Sequence, residues 1–154
     1  MKWVPQDIDM YLQAKEYVDT AVLPLLPVSF DGDMKQTASM TEFINLLSAQ
    51  LERQFKGRLL LLPGFSYLKS MEQDKLMELI KIWETEIFQK GFKHVFYVTS
   101  DTIWKGIEKD LNGPLIWLPS LPLENLDEQY KTSIMEDQVK QLLILFVQKW
   151  RDNE

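Results

Sequence analysis

The sequence predicts an α/β fold, a three-layer α/β/α sandwich of the Rossmann or flavodoxin type with a mostly parallel four-stranded sheet. Four apolar runs alternate with amphipathic helical stretches, as expected when helices cover both faces of a sheet. The links into the last three runs are short and contain a glycine, whereas two links out of the runs are long and polar. The long links therefore mark the carboxyl ends of the strands, where open α/β sheets bind ligands.

Length and composition predict a single domain over residues 1–154. A chain of this length, with 45% hydrophobic residues, can bury about two-thirds of its unfolded surface in one core. The absence of cysteine excludes disulfides, thiolate catalysis and thiolate zinc sites. The formal charge is −6 and the basic residues are scattered, so we expect neither nucleic acid nor an anionic membrane as a partner.

A cytoplasmic location is expected for two reasons. The first ten residues carry acidic side chains where a signal peptide would have an apolar stretch. The longest apolar run, residues 142–147, is far shorter than the roughly 20 residues that span a bilayer.

The first helix is predicted over residues 7–19, with Trp3 folded back over it. The first strand is predicted over residues 22–30, but Pro24 and Pro27 each remove a hydrogen-bond donor and favour a short strand or a sheet edge. The flavodoxin-like strand order 2-1-3-4 would instead place this strand centrally. The sequence leaves these alternatives open.

Three later helices share a start pattern, a serine followed three residues later by Glu or Gln, which is typical of a capping box. These helices are predicted over residues 40–55, 71–90 and 133–151, with the boxes Ser39/Glu42, Ser70/Gln73 and Ser133/Glu136. The remaining strands are predicted over residues 58–62, 94–99 and 115–118. A short helix capped by Asp101 follows the third strand, and a long loop over residues 119–132 follows the fourth.

Two of these helices are predicted to carry apolar stripes. In the third helix, Leu76, Ile80, Trp83 and Ile87 are predicted to form the buried stripe. In the last helix, apolar residues extend around the cylinder through Ile144, Leu145 and Val147. That surface is either covered by the first helix, which we favour, or meets another chain.

Polar and aromatic residues that follow the strands are the candidate binding residues, because they lie at the predicted carboxyl edge of the sheet. They are Ser29, Asp31, Asp33, Phe65, Tyr67, Ser100, Asp101, Trp104 and Ser120.

The sequence offers no histidine at this edge that could act as a general base for a serine nucleophile. The single histidine, His94, begins the third strand and lies roughly 16 Å from Thr99 at its other end, which excludes a serine–histidine pair. Asp31, Asp33 and Asp101 are possible Mg²⁺ ligands, although a turn and a helix cap explain them better. The capping boxes disfavour phosphate, although loop lysines keep phosphate binding open.

Large apolar side chains also fall in or just past the loops at this edge, namely Phe30, Phe65, Tyr67, Trp104 and Leu121. We expect them to pack against the helices. If they were exposed together, they would suit a protein partner or an apolar small ligand.

Several segments carry a family resemblance. The run DIDMYLQAKEYVDTAVLPLL of residues 7–26, GDMKQ of residues 32–36 and ERQFKGR of residues 52–58 resemble the YpiF-like family of small proteins from Bacillus-type bacteria. The resemblance covers most of the chain. It implies a cytoplasmic bacterial protein in a family of unknown function, with no catalytic residues to carry over.

The leading functional hypothesis is a non-catalytic interaction or regulatory module that uses the carboxyl edge and needs no cofactor or metal. The alternative is a nucleotide or sugar-phosphate binder, or an enzyme, with a carboxylate and Mg²⁺ site at Asp31, Asp33, Ser100 and Asp101. The expected partner is a protein or a small ligand. The chain itself is expected to be a monomer or a dimer through the C-terminal helix.

Overall fold

The computed structural model describes residues 1–152. Over these residues the chain forms four α-helices, five strands and three short 3₁₀ segments. The helices are α1 (Pro5–Gln13), α2 (Met34–Gln54), α3 (Gln73–Gln89) and α4 (Glu128–Asp152). The strands are β1 (Thr20–Val28), β2 (Leu59–Leu61), β3 (Phe65–Leu68), β4 (His94–Thr99) and β5 (Leu115–Trp117). The 3₁₀ segments are Lys15–Tyr17, Thr102–Gly106 and Glu108–Asp110.

The strands form a parallel sheet in the order β2-β1-β4-β5, and β3 continues along β1 after β2. This confirms the α/β class and the three layers. The predicted second strand is present as β2, and β3 is an additional strand in a segment that was predicted to be a loop. The sheet therefore has five strands where four were expected.

Two cores lie on opposite faces of the sheet. One core contains side chains of α3, the Thr102–Gly106 segment and one face of the strands, with α1 packed against it. The other contains side chains of α2, α4 and the opposite strand face, where Phe96 stacks on Phe146 at 4.0 Å between ring centroids. Because α1 and α4 lie on different faces, the expectation that the first helix covers the last one is wrong.

The structure places β1 in the centre of the sheet despite its two prolines. The backbone carbonyls of Val22 and Val28 accept hydrogen bonds from the backbone N–H groups of Leu62 and Lys69. The backbone hydrogen-bonding groups of the even-numbered residues of β1 are therefore directed toward β2 and β3. Pro24 is on that side, opposite the break between β2 and β3. Pro27 is odd-numbered, so its nitrogen is directed toward the β4 side, but Pro27 lies beyond the last residue of β1 that pairs with β4. Neither missing donor interrupts a ladder, so the flavodoxin-like order is correct and the edge position is wrong.

The break between β2 and β3 is a one-residue bulge. β1 advances three residues from Val22 to Leu25, while its neighbour advances four, from Leu61 to Phe65. An extra residue reverses the alternation of side chains between the two faces. Phe65 and Tyr67, which were predicted to lie in a loop, are therefore strand residues that face α3.

The helix starts differ from the predicted ones. α2 and α4 begin earlier in the chain than their serine patterns indicate. α2 begins at Met34 after Asp33, so Ser39 lies inside it. α4 begins at Glu128, so Ser133 lies inside it. α3 begins at Gln73 with Glu72 at the N-cap and no side-chain cap. None of the three predicted capping boxes forms, since this serine spacing also occurs on the polar faces of helix interiors.

Other boundaries shift by a few residues. The first helix ends at Gln13, and β1 covers residues 20–28, where residues 22–30 were predicted. β4 matches its prediction. Asp101 caps as predicted, accepting from the Ile103 backbone N–H at 3.3 Å, although the helix it caps is 3₁₀. Within residues 1–152, no helix has the length and apolar character needed to cross a membrane.

Candidate functional site

Three candidate residues at the carboxyl edge form a closed hydrogen-bonded group. The Tyr67 hydroxyl donates to Asp101 Oδ2 at 2.6 Å, and Trp104 Nε1 donates to the Tyr67 oxygen at 2.8 Å. All three side chains are buried, and Trp104 is fully inaccessible. Burial and, secondarily, the neighbouring Asp101 carboxylate raise the pKa of Tyr67 far above its ordinary value. The group fills the space between β3 and the Thr102–Gly106 segment, so it leaves no crevice there for a ligand.

A second group lies at the end of β1. The Ser29 hydroxyl donates to Asp33 Oδ1 and accepts from the Asp31 backbone N–H at 3.2 Å. Lys69 Nζ lies 3.5 Å from Asp33 Oδ2. The hydrogen bond from Ser29 and the nearby Lys69 ammonium hold the pKa of Asp33 below its ordinary value. A carboxylate stabilised in its ionised form is a weak base, so this pairing does not activate Ser29 as a nucleophile.

The remaining candidates at this edge do not join a common site. Asp31 is exposed, and Phe65 and Ser120 are half-buried. Ser100 is buried, and its Oγ has no hydrogen-bond partner among residues 1–152. In the same described range, no three His, Asp or Glu side chains are grouped closely enough to hold a metal ion, so the three aspartates of the magnesium hypothesis are not brought together.

The predicted aromatic surface at this edge is only partly present. Phe30 is 74% exposed and, with Val28, Ser66 and Leu68, lines a hollow of about 160 Å³. Trp104 and Tyr67 are buried, which is the packing that the sequence analysis favoured. The hollow is too small for an ordinary ligand, whose pocket occupies about 300–1,000 Å³.

A larger cavity of about 600 Å³ lies away from this edge, between α1 and α3. We call it the α1–α3 groove. Its floor contains Leu60, Leu62 and Ile87, and its walls contain aromatic side chains from both helices and the segment after α3. Its lining residues are Trp3, Tyr11, Lys15, Leu60, Leu62, Ile82, Trp83, Glu86, Ile87, Lys90 and Phe92.

The groove walls are apolar side chains in contact with solvent. Ile82 is 66% exposed and Trp3 is 55% exposed. Tyr11 stacks on Phe92 with 5.8 Å between ring centroids, which fixes the end of α1 near the end of α3. Partial burial in this contact raises the pKa of Tyr11. Folded monomers seldom expose so many clustered apolar side chains without a binding role.

Sequence reasoning missed this groove because it placed two tryptophans in packed positions. Trp83 was predicted to belong to the buried stripe of α3, but Glu84 takes the buried position and Trp83 is exposed enough to form a wall. Trp3 was predicted to fold over α1, and it is 55% exposed and lines the cavity between α1 and α3. The available signal was the width of the apolar surface on α3, where Leu79 and Ile82 add to the predicted stripe.

Glu84 is held by four donors. It accepts from the Tyr97 hydroxyl at 2.6 Å, the Asn112 backbone at 2.8 Å, Asn112 Nδ2 at 3.0 Å and Lys81 Nζ at 3.0 Å. Burial raises the pKa of Glu84, but these hydrogen bonds and the Lys81 charge outweigh burial and lower it. Since its oxygens are fully engaged, this carboxylate joins α3 to β4 and the turn before β5.

His94 lies at the amino edge of the sheet, as predicted. Its Nε2 is 4.0 Å from Asp19, which also pairs with Arg58 at 3.0 Å. Burial lowers the pKa of His94 more than the Asp19 charge raises it. The histidine is therefore remote from Ser29 and Ser100, and the geometric exclusion of a serine–histidine pair holds.

Comparison with known proteins gives a family. Residues 9–150 match the model of a family described as protein of unknown function, DUF2487. The chain belongs to the DUF2487 family. It is 37% identical over 150 residues to the uncharacterized protein YpiF of Bacillus subtilis strain 168, an alignment that covers 97% of this chain and 98% of that protein. The YpiF-like resemblance is thereby confirmed.

No solved structure matches the chain. DUF2487 carries no assigned activity in its description, so a function for this member depends on its own geometry.

Proposed function

We propose that this DUF2487 protein is a non-catalytic binding module that holds a helical segment of a partner protein in the α1–α3 groove. The observation that supports this most directly is the contrast between the two candidate regions. The groove is an open apolar cavity of about 600 Å³, whereas at the carboxyl edge Ser29 is hydrogen-bonded to Asp33, and Tyr67 to Asp101 and Trp104.

The exposure of the groove walls favours a protein segment over a small ligand. A pocket for a small molecule typically encloses 70–90% of the ligand surface. Here Ile82 and Trp3 are each more than half exposed, which suits a wide, convex occupant. An amphipathic helix placed in a groove is such an occupant.

A surface stripe of α3 passes through the cavity and continues one helical turn beyond it, to Leu79. Leu79, Ile82, Trp83, Glu86 and Lys90 recur at intervals of three or four residues and form one stripe. The stripe extends about 16 Å, or three helical turns. The first and last anchor residues of a docked helix, i and i+7, are about 10 Å apart, so the stripe is long enough to contact all four anchors.

The charge of the groove selects the orientation of the occupant. Lys15 and Lys90 both line the cavity, and the Tyr11–Phe92 stack places them at the same end. Glu86 lies 3.9 Å from Lys90 at the surface and offsets part of this charge. The C-terminus of a helix carries partial negative charge, so we propose that the bound helix ends here with acidic side chains.

This proposal keeps the interaction module expected from the sequence but moves its binding surface from the carboxyl edge to the groove. The small-molecule and Mg²⁺ alternative at the edge lacks an observation in its favour. The cytoplasmic location expected from the sequence belongs to the same proposal.

The test is calorimetric titration of the protein with a synthetic amphipathic peptide of about 18 residues, which forms about five helical turns. The peptide has leucines at i, i+3, i+4 and i+7 and acidic residues at its C-terminal end. Substitution Ile82→Glu places a charge against the apolar face, so we expect at least a tenfold loss of affinity, or about 1.4 kcal/mol. Ile144→Glu, at a similarly exposed isoleucine on α4, is the matched control and leaves binding unchanged.

A second peptide with lysines in place of the acidic residues tests the orientation, and we expect it to bind more weakly. Equal loss of affinity in both isoleucine variants, or no binding of either peptide, would overturn the proposal. Dodecanoate that binds in the groove and displaces the acidic peptide would show that the groove is a small-molecule site instead.

A further inference from the structure

We propose that a second copy of this chain packs against the exposed face of α4, with the two helices antiparallel and centred on Ile144. This surface is separate from the α1–α3 groove and does not depend on the proposed function. α4 turns Met135, Val139, Leu142, Phe146 and Trp150 into the core. Its opposite side exposes Ile144 by 71%, with the partly exposed Leu143 and Val147 beside it.

The exposed face contains a hollow of about 440 Å³ lined by Leu143, Ile144, Val147, Gln148, Arg151 and Asp152. The helix that could have covered it, α1, lies on the opposite face of the sheet. Intramolecular cover of this face is therefore absent in residues 1–152.

One pair of opposite charges on this face favours a second copy as the occupant. Asp137 and Arg151 are both exposed and lie seven residues before and after Ile144. Seven residues are close to two helical turns, so all three share one stripe. Each charge is about 10 Å along the axis from Ile144. In an antiparallel pair centred on Ile144, Asp137 of each copy faces Arg151 of the other.

The parallel arrangement is disfavoured by the same charges. It would place Asp137 against Asp137 and Arg151 against Arg151, and would align the two helix dipoles. Within residues 1–152, neither Asp137 nor Arg151 belongs to an ion pair that would satisfy it inside the chain. The self-complementary pattern is what a two-fold interface requires.

The size of the face predicts a weak dimer. α4 has 25 residues and is about 37 Å long. One helix face presents less surface than the about 800 Å² per partner of a standard stable interface. We therefore expect a monomer–dimer equilibrium that responds to concentration and to salt.

Sedimentation velocity over a range of protein concentrations tests the proposal. We expect the wild type to shift from monomer to dimer as concentration rises, and Ile144→Glu to stay monomeric. Ile82→Glu, the matched control in the groove, dimerises as the wild type does. This pair of variants also separates the two proposals, because each isoleucine belongs to only one surface.

Charge reversal tests the register. Asp137→Arg or Arg151→Asp alone places like charges together, so each weakens dimerisation at least fivefold. The double variant Asp137→Arg/Arg151→Asp restores it, since the pairs form again with signs exchanged. A monomer at every concentration, a dimer insensitive to Ile144→Glu, or a double variant as weak as the single ones would overturn the proposal. Circular dichroism confirms that each variant is folded.

Discussion

Individual glycines and buried carboxylates fix the backbone where the sheet meets its connections. Gly64 lies in the bulge, and a Cβ built there would be 2.3 Å from Leu26 Cδ1, the tip of a flexible side chain. At Gly113, before β5, a Cβ would lie 1.9 Å from the Val95 carbonyl oxygen. Because that oxygen belongs to a central strand, it cannot move aside. Glycine is therefore more strictly required at position 113 than at position 64.

The substitution Gly113→Ala is expected to destabilise the protein by at least about 2 kcal/mol, because either β4 or the turn must shift. Gly106→Ala is the control, since nothing lies within 4 Å of a Cβ at that position, and it is expected to change stability by less than about 0.5 kcal/mol. Urea unfolding midpoints provide the measurement. Equal midpoints for the two variants would show that the close approach at Gly113 is absent.

Glu84→Gln tests the buried carboxylate network. Glutamine accepts fewer hydrogen bonds than the ionised Glu84, so we expect a loss of about 1–3 kcal/mol at neutral pH. The pKa of Glu84 is lowered below 4.5 in the folded protein, so its stabilising effect is complete above that pH and is lost as pH falls through the folded pKa.

The wild type should therefore lose more stability than Glu84→Gln as the pH falls from about 6 to about 3. Unfolding free energies measured across this range give the comparison. Glu78→Gln, at an exposed position of the same helix, serves as the control and follows the wild type. If Glu84→Gln and the wild type lost stability in parallel, Glu84 would not be the titrating group.

At the scale of elements, the sequence predicts the type and order of the helices and strands more accurately than their boundaries and the bulge between β2 and β3. The apolar runs at 94–99 and 115–118 correspond to β4 and β5, because continuous hydrophobicity reflects burial on both faces. The bulge after Leu61 depends on the register against β1, which no local pattern records. The serine patterns misplaced the starts of α2 and α4, since capping boxes compete with the wider context of each helix.

Tyr67→Phe tests how much stability the hydrogen bonds of Tyr67, which depend on the bulge, contribute. The bulge turns Tyr67 toward Asp101 and Trp104, and removing the hydroxyl leaves a buried carboxylate oxygen and a buried indole N–H without this partner. We expect a loss of about 1–3 kcal/mol in thermal or urea unfolding. Tyr17→Phe, at an exposed tyrosine, is the control and should be neutral. A neutral Tyr67→Phe would mean that the group at the carboxyl edge contributes nothing to stability.

At the scale of the whole molecule, the two open surfaces lie on opposite faces of the sheet. The α1–α3 groove is on one face, and the exposed side of α4 is on the other. A dimer through α4 would present two grooves pointing away from each other, so binding and self-association can coexist. Such an arrangement would give the dimer two binding sites for a repeated or multimeric partner.

The functional site shows where prediction from sequence ended. Phe65 and Tyr67 were expected in a loop but lie inside β3, and whether Tyr67 and Trp104 point inward or outward depends on the bulge and on packing. The groove depends on Trp3 and Trp83, which come from segments distant in the chain. Their proximity follows from the tertiary fold, and helical periodicity alone assigned Trp83 to the core.

The five tryptophans report on separate regions, which makes indole ¹⁵N NMR the most direct test of the binding account. Trp3 and Trp83 line the groove, Trp104 and Trp117 lie at the carboxyl edge, and Trp150 anchors α4 by donating to Thr20 at 2.7 Å. On titration with the acidic amphipathic peptide, we predict that the Trp3 and Trp83 signals shift while Trp104 and Trp117 stay in place. Shifts confined to Trp104 and Trp117 would place the binding surface at the carboxyl edge and contradict the account.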